Sequence, residues 1–96
     1  MPEKRRQVSK FSIQLSPGVP GAVQLPRGAQ VLSAQAAGVN YSIWALVDPG
    51  ETATQEREFL VVKQDEEIFI DYKHLSLKFV NALQIGAVML HFFELV

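Results

Sequence analysis

Two histidines, His74 and His91, are the natural candidates for proton transfer in this chain of 96 residues, because imidazole titrates nearest to neutral pH. Catalysis would require one of them to stand beside a nucleophile or a second titrating group in a pocket. His91 lies in Met89-Leu-His-Phe-Phe93, an apolar run that reads as a strand, so a packed or hydrogen-bonded histidine is expected there. His74 follows Asp71-Tyr-Lys73, a polar cluster that reads as a solvated turn. The two are far apart and lack a third ligand at helical or hairpin spacing, so they do not spell a zinc site. Asp65, Glu66, Glu67 and Asp71 lack the alternating ligands and spaced glycine of a calcium loop. Pro17, Gly18, Pro20 and Gly21 are followed by no Gly-Lys-Ser/Thr and open no helix, so they cradle no phosphate. No catalytic residue, metal or cofactor is assigned, and the chain reads as a non-enzyme.

What remains is binding by shape. Trp44 and Tyr41 are large rings with a polar handle, useful at interfaces. Arg27 and Arg57 lie in or beside turns, from which a guanidinium can reach a carboxylate or another anion. With His91 these form the candidate binding set. Lys4, Arg5, Arg6 and Lys10 could add weak, salt-sensitive affinity for phosphate. The net charge of −1 and aromatics that sit in apolar runs argue against a nucleic-acid interface. The charges are unevenly spread: residues 1–47 carry five bases and one acid, residues 48–71 two bases and eight acids.

The elements that must position these residues read as strands. Lys10 to Leu15 alternates, with Phe11, Ile13 and Leu15 on one face. Ser16 to Gly21, with two prolines and two glycines, is a loop. Ala22 to Leu25 is a short strand closed by Pro26-Arg-Gly28, where Gly28 can supply a positive φ. Gln30 to Gln35 and Tyr41 to Val47 follow, then a polar loop over residues 48–56. Glu58 to Lys63 is a continuous apolar run that periodicity alone allows as a helix or as a strand buried on both sides, and its length and paired valines favour the strand. Ile68 to Tyr72 suggests a short strand, and residues 72–79 fit a strand or a helix. Phe79 to Leu83 and Ala87 to Leu95 form a hairpin turning at Gln84-Ile-Gly86. The sum is an all-β fold, a small antiparallel sandwich or barrel of about seven short strands. Residues 1–9 read as a flexible basic arm and residues 10–96 as a single β domain.

At this length the chain can bury roughly 60–65% of its unfolded surface and fold without staples. It has no cysteine, so disulfides and thiolate chemistry are excluded. Neither a secretory signal nor an apolar stretch long enough for a membrane helix is visible, and a soluble cytoplasmic protein is expected. One feature strains the simple sandwich: Tyr41, Ile43, Ala45 and Val47 point one way while Trp44 and Leu46 point the other. The second apolar face needs a cover, either a loop or short helix of the same chain or a second subunit, and a homo-oligomer is the leading expectation.

Three separated stretches carry a resemblance: Val23-Gln-Leu-Pro-Arg-Gly-Ala-Gln-Val-Leu-Ser-Ala-Gln35, Ile43-Trp-Ala-Leu-Val-Asp-Pro49 with Glu56-Arg-Glu-Phe59, and Leu90-His-Phe-Phe-Glu94. In that order they resemble an uncharacterised small domain of tailed phages and prophages, over most of residues 10–95. The chain departs from that pattern after the fifth strand, where Lys63-Gln-Asp-Glu-Glu67 replaces a Gly-Thr-Gly-His-Pro-like turn. The resemblance implies a phage accessory protein working in the cytoplasm of an infected bacterium. Host-defence inhibition is then the leading expectation, by blocking a host protein or sequestering a small anionic, nucleotide-like ligand. The alternative is a structural or assembly component of the particle.

Overall fold

A computed structural model of the chain describes residues 5–37, 40–69 and 76–96. Seven strands make up the described fold: β1 (Gln7–Gln14), β2 (Gly21–Pro26), β3 (Gln30–Ala37), β4 (Asn40–Val47), β5 (Thr54–Lys63), β6 (Leu77–Ile85) and β7 (Val88–Leu95). They form two antiparallel sheets, β1-β4-β3 and β2-β5-β7-β6, packed face to face with β1 along β2 and β3 along β6.

The core lies between the sheets and follows the period-2 rule. Ile13 from β1, Tyr41, Ile43, Ala45 and Val47 from β4, and Ala34 from β3 meet Leu25, Phe59, Val61, Leu83, Leu90 and Phe92 from the other sheet. Phe92 sits at its centre, with its ring centroid 5.6 Å from that of Phe59 and 5.9 Å from that of Tyr41.

Turn chemistry sets the strand ends. Pro26 accepts a hydrogen bond from the Ala29 N–H across a turn with Gly28 at φ +80°, a conformation that costs a residue with a Cβ about 1–2 kcal/mol. The β6–β7 hairpin turns on Gly86 and Ala87 with Ile85 opposite Val88, so the reversal comes later than Gln84-Ile-Gly86 suggests. Gly86 alone of the two takes a positive φ, +60°, the pattern of a two-residue II′ turn that matches strand twist.

Other boundaries shift too. β1 begins at Gln7, inside the expected arm, because Val8 finds Leu46 and Ser9 finds Ala45 across the ladder. β5 begins at Thr54 and shortens the loop before it, since Pro26 and Leu25 of β2 pair with Thr54 and Gln55. Ile68 and Phe69 are not in a strand; the rest of the expected Ile68–Tyr72 strand, like Asp71 and His74, lies outside the described residues.

β3 and β6 each carry a β-bulge, between Val31 and Ser33 and between Phe79 and Asn81. The two strands are edges of different sheets, and Asn81 joins them. Its Oδ1 accepts from the Ala34 N–H at 2.9 Å and its Nδ2 donates to the Ala34 carbonyl at 3.0 Å. One side-chain amide thus satisfies both backbone groups of an edge residue that would otherwise present a free ladder rung.

Candidate functional site

The outer faces of the two sheets differ. On the four-stranded sheet, Leu60 and Val62 of β5 and Leu95 of β7 form a second buried cluster, with Ile68, Leu77 and Phe93 packed against it. Ile68 belongs to the connection between β5 and β6, which both run antiparallel to β7. Ile68 thus covers part of this face, while Phe79, packed on His91 and Phe93 at its edge, stays 55% exposed.

The outer face of the three-stranded sheet has no such cover among the described residues. Trp44 stands at its centre, opposite Lys10 of β1 and Ser33 of β3. Val8 on one flank is 57% exposed and Leu32 on the other 42%. The β3 bulge makes this arrangement: Leu32 is the extra residue, so Leu32 and Ser33 both come beside Trp44. Val8, Leu32, Ser33, Gln35 and Trp44 line a shallow groove.

The other candidate residues are placed apart from Trp44. Arg57 is in phase with Phe59 and Val61 and points between the sheets, where its Nε and Nη2 donate to the two carboxylate oxygens of Glu94, the latter at 2.9 Å. Its Nη1 donates to the Ala29 carbonyl at 2.7 Å. The side chains of Arg57 and Glu94 are 14% and 4% exposed. Three of this guanidinium's five N–H donors are taken by a carboxylate and a carbonyl, and it ties the end of the core to the β2–β3 turn. Gln55, one rung further along β5, accepts from the Gly28 N–H at 3.3 Å and anchors the same turn. Arg27 sits exposed at the tip of that turn, with its backbone N–H held by the Ala53 carbonyl at 2.9 Å.

His91 is on the outer face of the four-stranded sheet, half-buried, with its ring 6.4 Å from that of Phe79. Tyr41 is buried in the core at the end opposite the Arg57–Glu94 pair, and burial raises its phenol above the ordinary value of 10.0. The five candidate residues are therefore spread over separate places and do not converge on one site. Among the described residues no three His, Asp or Glu side chains gather as a metal site would need, and no helix is long and apolar enough to cross a membrane.

Sequence reasoning missed Glu94 and Asn81. Each carried a signal: Glu94 is in phase with the core residues Leu90 and Phe92, and Asn81 with Leu83. A polar residue in phase with a buried stripe must find a partner there.

Compared with known proteins, residues 4–96 match the family model described as Domain of unknown function (DUF7352). No curated protein and no solved structure matches the chain.

Proposed function

Since the chain belongs to the family described as Domain of unknown function (DUF7352), a membership that assigns no activity, we propose a function from the geometry. The protein is a non-enzymatic binding module that docks onto another protein through the outer face of its β1-β4-β3 sheet, with Trp44 at the centre. The observation that carries this reading is the contrast between the two outer faces. One buries Leu60, Val62 and Leu95 with Ile68 packed against them and leaves Phe79 exposed at its edge, while the other presents Trp44 flanked by exposed Val8 and Leu32. A half-buried tryptophan among apolar and small polar residues has the composition of an interface anchor. The residues of catalytic type support the same view, because Arg57 and Glu94 are spent on each other.

A shallow face suits a protein surface better than a small nucleotide-like ligand, which needs a concave site. Taken with the phage-like motifs, the partner we propose is a protein of a bacterial host, blocked in the cytoplasm as a counter-defence. A second reading, a structural or assembly component, has one observation of its own. Val8 and Leu32 flank Trp44 from opposite sides, a layout that suits self-packing of two copies as a homo-oligomer.

Trp44 is the single tryptophan, so its emission reports this face directly. The test compares wild type with Trp44→Lys as baits in a bacterial lysate, then titrates the purified captured protein while following Trp44 emission and quenching. Loss of capture by Trp44→Lys, with a blue-shifted, quencher-protected Trp44 in the wild-type complex, is the expected outcome. Equal capture by a folded Trp44→Lys variant would refute the assignment. Native mass spectrometry separates the readings: a defined oligomer that Trp44→Lys dissolves favours self-assembly over a host partner.

A further inference from the structure

The two ends of the sandwich are built differently. At one, the Arg57–Glu94 pair braces the β2–β3 turn beside an open, charged cleft that it lines with Glu56, Glu58 and Lys78. The other holds a cleft of about 270 Å³ between the β1–β2 loop, the N-terminal part of β4, the end of β5 and the β6–β7 hairpin. Leu15, Leu90, Ile85 and Val88 make its walls, Tyr41 and Lys63 bring hydrogen-bond donors to it, and Ser16 adds a hydroxyl on the β1–β2 loop side. Leu15 and Leu90 are buried, whereas Ile85 and Val88 are 44% and 46% exposed and form an apolar rim.

Both donors are uncommitted. Tyr41 is 3% exposed, and among the described residues its hydroxyl has no hydrogen-bond partner. The hydroxyl lines the cleft and is free to donate to a group bound there. The Lys63 ammonium makes no ion pair among the described residues. Its backbone N–H is taken by Glu66 Oε1 at 3.2 Å, which leaves that carboxylate over the nearby Gly18 turn.

We propose that this cleft binds a small amphipathic carboxylate, with its apolar body between Leu15, Ile85, Val88 and Leu90 and its carboxylate accepting from Lys63 and Tyr41. An apolar wall with one ammonium and one phenol, both donors, selects a ligand that is apolar at one end and an anionic acceptor at the other. The volume lies just under the range of about 300–1,000 Å³ typical of drug-sized ligands, so the body is a single ring or a short branched chain. Glu66 on the same side disfavours a second negative charge, which separates this ligand class from phosphates and dicarboxylates.

Phenylacetate and hexanoate are suitable probes, with phenylacetamide as the uncharged control. Binding is read by methyl chemical shifts of Leu15 and Leu90 and by saturation-transfer difference spectra. The expected result is saturable binding of a carboxylate probe, weakened about tenfold, or roughly 1.4 kcal/mol, by Tyr41→Phe and by Lys63→Gln, and weakened similarly in the amide. Tyr41→Phe is isosteric and Lys63 is exposed, so both variants should retain the wild-type amide spectrum. Absence of any shift with either probe up to about 10 mM, a limit that still detects weak millimolar affinity, would overturn the site. Undiminished binding by both folded variants would overturn the assigned donors, and equal binding of phenylacetamide would overturn the carboxylate class.

Discussion

Breaking the Arg57–Glu94 pair from one side should be far more damaging than removing it whole. The Glu94 side chain is 4% exposed and that of Arg57 14%, which places the pair near the buried limit and away from surface ion pairs worth about 0–1 kcal/mol. Glu94→Leu leaves a mostly buried guanidinium with the Ala29 carbonyl as its remaining partner. The expected cost is about 3 kcal/mol, the lower part of the range for uncompensated buried charge. At about 4–8 °C per kcal/mol for a domain of this size, the melting temperature falls by roughly 12–24 °C. That is a large share of a total stability of about 5–15 kcal/mol. Arg57→Met strands Glu94 instead and should cost at least as much, since it also frees the Ala29 carbonyl. Arg57→Met with Glu94→Leu removes both charges and extends the stripe of Phe59, Val61, Leu90 and Phe92. That double variant should return to within about 1–2 kcal/mol of wild type, the residue being the lost carbonyl bond. Urea denaturation of the four proteins at one pH gives the coupling energy of the cycle directly. Additive single costs, or a Glu94→Leu variant as stable as wild type, would refute the view that the two charges are held inside only by each other.

Two further outcomes follow from other sites. Asn81→Leu deletes both bonds to Ala34 and should cost about 2 kcal/mol; the Ala34 amide should lose hydrogen-exchange protection, and its continued protection would show that the edge is satisfied otherwise. Tyr41 has a phenol raised above 10.0 by burial, so the folded state resists its ionisation. The unfolded chain then loses more protons once pH passes the ordinary tyrosine value, and stability declines as pH rises above about 10. Tyr41→Phe should flatten that alkaline decline in melting temperature, and an unchanged slope would remove Tyr41 as its source.

Much of this architecture can be read from side-chain period alone. Phe11, Ile13 and Leu15 alternate into the core, and the unbroken run Phe59 to Val62 does what such a run implies, with Phe59 and Val61 in the main core and Leu60 and Val62 in the second cluster. Period does not report register, and register decides partners. Arg57 and Glu94 are far apart in sequence and meet only because Phe59 lies opposite Glu94 across the β5–β7 ladder. An arginine next to a polar loop looks free until that pairing is known. The bulges are silent for the same reason: Val31-Leu-Ser33 lies within a run read as one regular strand, yet the slip at Leu32 builds one side of the Trp44 face. Trp44 itself shows the limit of a binary reading, because a strand apolar on both faces is satisfied on one and left half-covered on the other.

The order of strands in the larger sheet has a kinetic consequence. β7 follows both β5 and β6 in the chain yet lies between them, so β6 has no partner in the sheet, and β5 only β2, until β7 has been made and inserted. During synthesis the apolar stripe of β5 waits with one side open, and its rungs pair only across long sequence separations, which slows folding. Until then the nascent chain is exposed to the wrong strand, from another copy or from itself. A stop codon within β7 would therefore withdraw the keystone of the sheet, and yield would fall even though the Trp44 face is left intact.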